Sequence, residues 1–534
     1  MISSASRLPG VGFTRVAPAI APSPLRSDVA GFAGHTRRGP VGKLVRVDGW
    51  KEYLSVFGGL DAGAYTPYAI RGYFENGGEV AYVIRLGGGD SPQKSAAAVW
   101  DTRVAAGLPV LAAAPAGFAY SAYHVLATSP GAWAERSRVM IRYRRHGAAM
   151  KPEVDIAVEV PNEPPEYLAA LPLADFETRL ERGSALIRLA PGGLAIAPAT
   201  SGPNRLTWQL ELKGGTDGGA ARAAEYSSAL VRLIDEGEIA LIGLPDLHRD
   251  LAETEARGLL EDLVARVDPL HDRMLLIDAP LGSGGARLGS DAIVAWVDRL
   301  RREPALTEFR SAAIYHPWLE VPDPLGGVAH PLKAVPPCGH VAGVVSRLDR
   351  ERGPHHTPAN APLLDAVDVA EGLEAEAQVG LNAASVNLLR CMPGRGLQVW
   401  GGSTLARVPA REASTTPYIA DHFIAYRRLI HRLVRAIRRV AEPLVFDANG
   451  PGLWLSFVRV VSTVLLEAYR RGALKGDRPE EAFQVRCDEK TNPPDERELG
   501  RCVCEIAIAP AAPMEFIVLR VALGGEGTLE VFES

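Results

Sequence analysis

The feature that most constrains this chain lies between Gly214 and Leu319. There the apolar runs IALIGLPD, MLLIDAP and SAAIYHPW alternate with amphipathic stretches of helical period. A short run with no polar alternation is buried on both faces, as in a parallel sheet covered by helices on each side. The spacing predicts a turn at GGTDGG, then helices over about Ala220 to Ile234, Asp250 to Arg266 and Asp291 to Arg301, with strands between them. The expected unit is an α/β layer domain.

The flanking regions read differently. Residues Met1 to Arg26 form an arm in which Val11, Gly12, Phe13, Thr14, Arg15 and Val16 can be extended, ahead of Pro18, Pro22 and Pro24. A body begins near Ser27 with short strands, two short helices at WKEYLSVFG and PYAIRGYFENGG, and a buried strand VAYVIRL. From about Pro92 to Lys213 short alternating segments such as VMIRYRR and VDIAVEV predict a β-rich region. After a Pro/Gly/His-rich loop a helix is expected over His340 to Arg352, and Leu381 to Trp400 carries strand-like pieces. Long helices follow over about Tyr418 to Ala441 and Gly452 to Arg471, then strands at AFQVRCD, RCVCEIAIA and MEFIVLRVAL. The chain closes on GGEG and the strand Thr528, Leu529, Glu530, Val531 and Phe532, which is expected to stand apart from any local hairpin. The fold class is therefore a multidomain α/β and α+β chain. The expected segments are 1–26 (N-terminal arm), 27–91 (first body segment), 92–213 (β-rich outer region), 214–380 (α/β core), 381–526 (C-terminal α+β domain) and 527–534 (C-terminal strand arm).

At 534 residues with 47% hydrophobic and 23% charged content, the chain is neither disordered nor a rod. A formal net charge of -5 gives no support to whole-body nucleic-acid binding or membrane adhesion. Five cysteines are an odd number and too few for a disulfide scaffold, so reduced thiols and cytoplasmic synthesis are expected. No apolar leader opens the chain. The apolar stretch Leu453 to Leu466 contains Arg459 and is shorter than the about 20 residues of a membrane span, so it reads as a buried helix.

The search for chemistry returns little. Gly282 to Gly285 follows a strand but matches neither the P-loop nor the dinucleotide pattern, and Ser283 lacks the glycine two residues earlier that a nucleophile elbow needs, since Leu281 stands there. His316, His330, Cys338, His340, His355 and His356 cluster in sequence without zinc spacing, and read as solvated loop histidines. Cys502 and Cys504 alternate on a strand and face the core together. Asp246, Asp250 and Asp278 fall at strand ends, where capping explains them. No catalytic residue, metal ligand or cofactor site is expected. One helix is electrically unusual: Leu429, Leu433, Ile437 and Val440 form one stripe, and Arg428, Arg432, Arg435 and Arg439 the opposite face.

Beyond these local readings, ordered blocks along nearly the whole chain resemble the tail sheath proteins of contractile phage tails and related injection systems. PGVGFTRV is similar to the family's N-terminal arm, and VAGFAGHTRRGPVGKLVRVDGWKEYLSVFGGL with YAIRGYFENGGEVAYVIRL to its first block. PGAWAERSRVMI resembles the opening of its variable β region, with Ala134-Glu135 where Gly-Asn is frequent. GGTDG, LIDAP, YHPWLEV and PPCGHVAGVVSRLDRERGPHHTPAN resemble the central core, with Cys338 in a position where Ser is common. LNAASVNLLRCMPGRGLQVWGGSTL resembles a block that usually ends W-G-A-R-T, here Trp400-Gly401-Gly402-Ser403-Thr404, so the family's Arg is absent. EAFQVRCDEKTN and IAIAPAAPMEFIVLR resemble the C-terminal domain.

The resemblance implies a structural subunit and no enzyme. It implies hexameric rings of the same chain stacked around an inner tube protein, with baseplate and terminator proteins at the ends. It also implies a shift from a long state to a shorter, wider one. No nucleic acid and no membrane insertion are expected. On this basis the strands Val11 to Val16 and Thr528 to Phe532 are expected to be exchanged between subunits, and Arg428, Arg432, Arg435 and Arg439 to face the tube. A hydrolase on an α/β fold is the alternative, and it lacks a catalytic constellation.

Overall fold

The computed structural model describes residues 26–533 apart from residues 90, 102–121, 145–152, 162, 173–174, 191–204, 283–285, 302–308, 407–421, 446, 512–516 and 524–528. Val11 to Val16, Ser283 and Thr528 lie outside the described residues.

The chain enters through β1 (Ala30–Gly34) and β2 (Leu44–Val47), then α1 (Trp50–Phe57), α2 (Thr66–Glu75) and β3 (Ala81–Arg85). It leaves the sheet for an insertion made of β4 (Ala97–Asp101), β5 (Ala122–Ala127), β6 (Arg138–Arg144), β7 (Glu153–Glu159), β8 (Glu166–Pro172), α3 (Phe176–Gly183), β9 (Ile187–Ala190) and β10 (Arg205–Glu211). Two small sheets, in the orders β10-β6-β7-β8 and β4-β5-β9, pack over a shared core that includes Trp100, Tyr123, Phe176 and Trp208. The buried/exposed alternation of β6 and β7 is the period of strands with one dry face. Arg85, fully buried at the end of β3, donates to the carbonyls of Gly39 (3.0 Å) and Pro130 (2.8 Å), tying the segment between β5 and β6 to the core.

The chain then returns through α4 (Ala223–Asp235), β11 (Leu241–Gly243), α5 (Leu247–Asp250), α6 (Glu253–Val267), β12 (Met274–Asp278), α7 (Ser290–Leu300) and β13 (Ala312–His316). A three-stranded ribbon follows, β14 (Leu319–Pro322), β15 (Leu332–Val335) and β16 (Asp368–Val369), with α8 (Cys338–Glu351) between the last two. Next come α9 (Ala375–Ala383), β17 (Val386–Met392) and β18 (Gly396–Trp400). The central sheet has eight strands in the order β18-β17-β13-β12-β11-β1-β3-β2. Its six inner strands are parallel, and the edge strands β2 and β18 are antiparallel to their neighbours. Strands β1, β3, β12 and β13 are buried at every position, as a doubly covered sheet demands. One face packs on α4, α6 and α7 and the other on α1, α2 and α8.

The topology redraws two expected boundaries. Residues 27–91 are not a separate layer: β1, β2 and β3 complete the sheet begun by β11 to β13. Strands β17 and β18, expected in the C-terminal domain, likewise belong to this sheet. That domain consists of α10 (Ile424–Ala441), α11 (Pro451–Arg470) and the antiparallel sheet β19 (Phe483–Arg486), β20 (Cys502–Ile508), β21 (Ile517–Leu523) and β22 (Leu529–Glu533), with the short helices α12 (Pro479–Ala482) ahead of β19 and α13 (Pro494–Glu498) ahead of β20. Helix α11 is the one described helix long and apolar enough to cross a membrane. Read as a buried helix, α11 sends Leu453, Trp454, Phe457, Val461 and Leu465 into the core, while Leu455 on the other face is 61% exposed.

Candidate functional site

In an open parallel sheet a ligand site belongs at the carboxyl ends of strands where the strand order reverses. Here that point lies between β1 and β11, and it is occupied by protein. Asp246, which follows β11 and is fully buried, accepts from His35 N (2.8 Å), Tyr65 N (2.7 Å), Thr66 N (3.4 Å) and Thr66 Oγ1 (2.7 Å). It thereby caps the first turn of α2 and clamps it to the end of β1. A Cβ on Gly34 would sit 1.9 Å from Thr66 Oγ1, so only glycine permits this approach. Next to it, Asp250 Oδ2 meets His35 Nε2 (2.7 Å) and accepts from Tyr226 Oη (2.9 Å), while Arg249 pairs with Asp250 Oδ1 (2.8 Å) and donates to the Gly63 carbonyl. Burial opposes the charge on Asp250, but His35 and Arg249 hold its carboxyl below the ordinary range.

An acid–histidine pair invites comparison with a hydrolase, which also needs a nucleophile on the other side of the imidazole. Among the described residues no Ser, Thr or Cys side chain is hydrogen-bonded to His35. The Thr66 hydroxyl is committed to Asp246. This cluster is a structural lock. Capping was legible for Asp246, but His35, Tyr226 and Arg249 were not, because nothing in their spacing marks a meeting across the sheet.

The ends of β12 and β13 hold a second acid. Asp278 Oδ1 accepts from Cys338 N (2.8 Å) at the start of α8, and burial raises its carboxyl to about 7. Burial and the neighbouring Asp278 push the Cys338 thiol well up, so it stays a thiol, the unreactive form. His248 meets the Asp278 carbonyl (3.1 Å), and burial lowers it to about 4. His316 and His340 correct the solvated reading: both are buried, and burial brings each to about 4. His330 and His356 are exposed, and His355 is half-buried and rests on His356. Among the described residues no group of three or more His, Cys, Asp or Glu is arranged to hold a metal ion.

The Arg-rich face of α10 is the largest departure from expectation. Arg428 is 3% exposed, paired with Asp349 and bonded to the Ser27 carbonyl (2.9 Å). Arg435 is 1% exposed and donates to five carbonyls: Arg26 (2.7 Å), Gly237 (2.8 Å), Glu238 (2.8 Å), Ile239 (3.1 Å) and Asp272 (3.4 Å). Those carbonyls belong to the residues leading into β1, β11 and β12, where a parallel sheet leaves acceptors without strand partners. Arg438 joins them through Asp272 (2.6 Å) and the Leu270 carbonyl (2.7 Å). Arg432 is half-buried, and Arg439 is exposed and paired with Glu442 (3.2 Å). Within the chain, Arg428 and Arg435 are buried and fasten the C-terminal domain beneath the sheet. The arginine face thus enters the core at Arg428 and Arg435 while Arg439 stays exposed, because a guanidinium can enter a core where unpaired carbonyls await it.

The C-terminal strand is a second correction. Strand β22 pairs antiparallel with β21 of the same chain, Leu519 opposite Glu533 through Leu523 opposite Leu529, forming the local hairpin that the Gly-rich connection was expected to prevent. The Trp400 to Thr404 block has a structural role: Asn387 holds Ser403 through its N–H (2.7 Å) and carbonyl (2.7 Å), bringing the chain to the start of α10.

No protein-family model and no curated protein matches the chain. Solved structures do. The chain is similar to the helical sheath of the anti-feeding prophage (AFP) in its contracted state, at 20% identity and TM-score 0.52, covering 96% of this chain and 98% of that one. The sheath complex of an extracellular contractile injection system (PVC), also contracted, matches at 16% identity and TM-score 0.53, covering 96% of both. A sheath tail protein from Desulfitobacterium hafniense matches at 12% identity and TM-score 0.62, covering 96% of this chain and all of that one. Along nearly its whole length, the chain has the fold of the sheath proteins of contractile injection systems.

Proposed function

We propose that this chain is a non-enzymatic structural subunit of a contractile tail sheath. It assembles with copies of itself into stacked hexameric rings around an inner tube protein, with baseplate and terminator proteins at the ends. It shortens to drive the tube through a target envelope. The supporting observation is the likeness to sheath structures over 96% of the chain, not over a single layer that many folds share. The filled strand ends agree with it, since Asp246 and Asp250 spend their acceptors on the chain itself. No cofactor and no nucleic acid enter this reading, and assembly takes place in the cytoplasm.

The terminal strands Val11 to Val16 and Thr528 to Phe532 link neighbouring subunits. Strand β22 makes a five-pair ladder with β21 in the single chain. A neighbour's terminal strand laid on β21 makes the same ladder, so exchange conserves backbone bonds of about 0.5–1.5 kcal/mol each and joins two bodies. Of the four arginines first assigned to the tube, that contact falls to Arg439.

The test is negative-stain microscopy of the chain co-expressed with its candidate tube protein. Hollow striated cylinders are expected, and a compact monomer at every concentration refutes the proposal. Deleting Gly527 to Ser534 leaves a soluble, folded body that forms no cylinders; normal cylinders from that variant would reject the exchanged C-terminal strand.

A further inference from the structure

Three of the five cysteines meet at one end of the C-terminal sheet. Strands β19 and β20 run antiparallel with Arg486 opposite Glu505, so Cys487 leaves β19 beside Cys504 and Cys502. Cys502 and Cys504 point into the core, and Cys487 is half-buried at its rim. The Sγ atoms of Cys487 and Cys502 are 3.8 Å apart. A disulfide requires that gap to close to about 2.05 Å.

The surroundings are built to hold this approach. Asn492 is fully buried, and its Oδ1 accepts from Val503 N (2.6 Å) while its Nδ2 donates to the Val503 carbonyl (3.0 Å). The same Nδ2 lies 3.5 Å from Cys487 Sγ and 3.1 Å from the Asp488 carbonyl. Asn492 thus pins the turn after Cys487 to the residue between Cys502 and Cys504. Donation from the Cys502 and Cys504 thiols and from Asn492 holds the Cys487 thiol below its ordinary range, against the effect of burial, and pushes its two neighbours up. The thiolate is the reactive form, and here it is also the accessible one.

We propose that Cys487 and Cys502 form a thiol–disulfide switch driven by hydroperoxides. The Cys487 thiolate attacks a peroxide oxygen, the O–O bond breaks, and water leaves after protonation, giving a sulfenic acid. Cys502 then attacks the Cys487 sulfur as its proton passes to the departing hydroxyl; the S–O bond breaks and a second water leaves. Two thiols lose two electrons and two protons to one hydrogen peroxide, yielding one disulfide and two waters. The bond closes the loop 488–501 and sits at the end of β20 where Cys502 pairs with Leu523, the last residue of β21. It therefore staples β19 to the strand on which the terminal hairpin rests. This inference does not depend on the proposed function.

The experiment uses the full chain, reduced, freed of reductant and titrated with hydrogen peroxide. Free thiols are counted in denaturant, and non-reduced digests are sequenced by mass spectrometry. The count is expected to fall from five to three with a Cys487–Cys502 linkage, and dithiothreitol restores five. Cys487→Ser and Cys502→Ser each abolish the linkage, whereas Cys391→Ser and Cys504→Ser retain it. Circular dichroism before oxidation identifies any variant that fails to fold, and the wild-type linkage map stands without the variants. Five surviving thiols, a Cys487–Cys504 linkage, or over-oxidation of Cys487 without a linkage would overturn the proposal.

Discussion

Replacing Arg435 by methionine separates a fastening role from a binding role for the basic helix. Methionine keeps most of the side chain's apolar volume and removes both terminal nitrogens, leaving five carbonyls without their donor. The contacts to Arg26, Gly237 and Glu238 are part-buried, so those oxygens recover hydration. The contacts to Ile239 and Asp272 are fully buried, and each unmet group there costs about 1–3 kcal/mol. Some of that loss is offset because the charge no longer has to be desolvated, a cost visible in the fall of the Arg435 side chain to about 10 through burial. The net expectation is a loss of about 3 kcal/mol, from two unmet buried carbonyls less that offset. With a urea slope of about 1–3 kcal/mol/M, the transition that releases the C-terminal domain moves down by about 1 M or more. Tryptophan fluorescence and limited proteolysis follow it. Arg439→Met, which removes an exposed pair, changes stability by no more than about 0.5 kcal/mol. Equal small shifts for the two variants would mean that Arg435 does not fasten the domain.

Two further perturbations test the packing and the buried acid. Asp278 is raised by burial to about 7 from an ordinary 3.8, so the native state binds its proton more tightly than the unfolded state, and stability falls as pH rises between those values. Asp278→Asn cancels that term: unfolding midpoints at pH 5 and pH 8 should show the variant gaining on the wild type by about 2.5 kcal/mol at the higher pH, the roughly two units between pH 5 and 7 at about 1.36 kcal/mol each, and a pH-independent difference would contradict the assignment. Helix α8 crosses α2 where a Cβ on Gly339 would lie 2.1 Å from the Ala69 carbonyl oxygen, which is backbone and cannot swing away. Gly339→Ala is expected to cost about 2–3 kcal/mol in thermal or urea unfolding, while Gly380→Ala, with open space around it, is neutral or slightly stabilising. Equal effects would mean that the helices separate freely.

Much of the architecture was legible because it is written in local periodicity. The runs IALIGLPD, MLLIDAP and SAAIYHPW became β11, β12 and β13, and the helices between them begin and end within a few residues of expectation. The antiparallel insertion was legible in the same way: alternation in VMIRYRR and VDIAVEV became the one-sided burial of β6 and β7. Cys502 and Cys504 do share the buried face of β20. The candidate site was much less legible, since its members come from distant segments: His35 meets Asp250 across 215 residues, and Arg435 meets Arg26 across 409.

By itself, then, the sequence determined what each segment can be, because a run's burial demand and its period follow from its own side chains. It determined that 214–319 must lie in a covered parallel sheet and that α10 has two chemically opposed faces. Only the tertiary structure decided which segments share that sheet, joining β1 to β11 so that the strand order turns there and Asp246 fills the turning point. Only it decided that the arginine face is buried: a guanidinium is placed by the partners it can find, and the carbonyls entering β1, β11 and β12 become neighbours only once the sheet has formed. It likewise brought β22 back onto β21, because the pairing depends on which strand edge lies within reach and not on the apolar content of the strand. Periodicity is a property of a segment, whereas strand order and charge compensation are properties of the assembled whole.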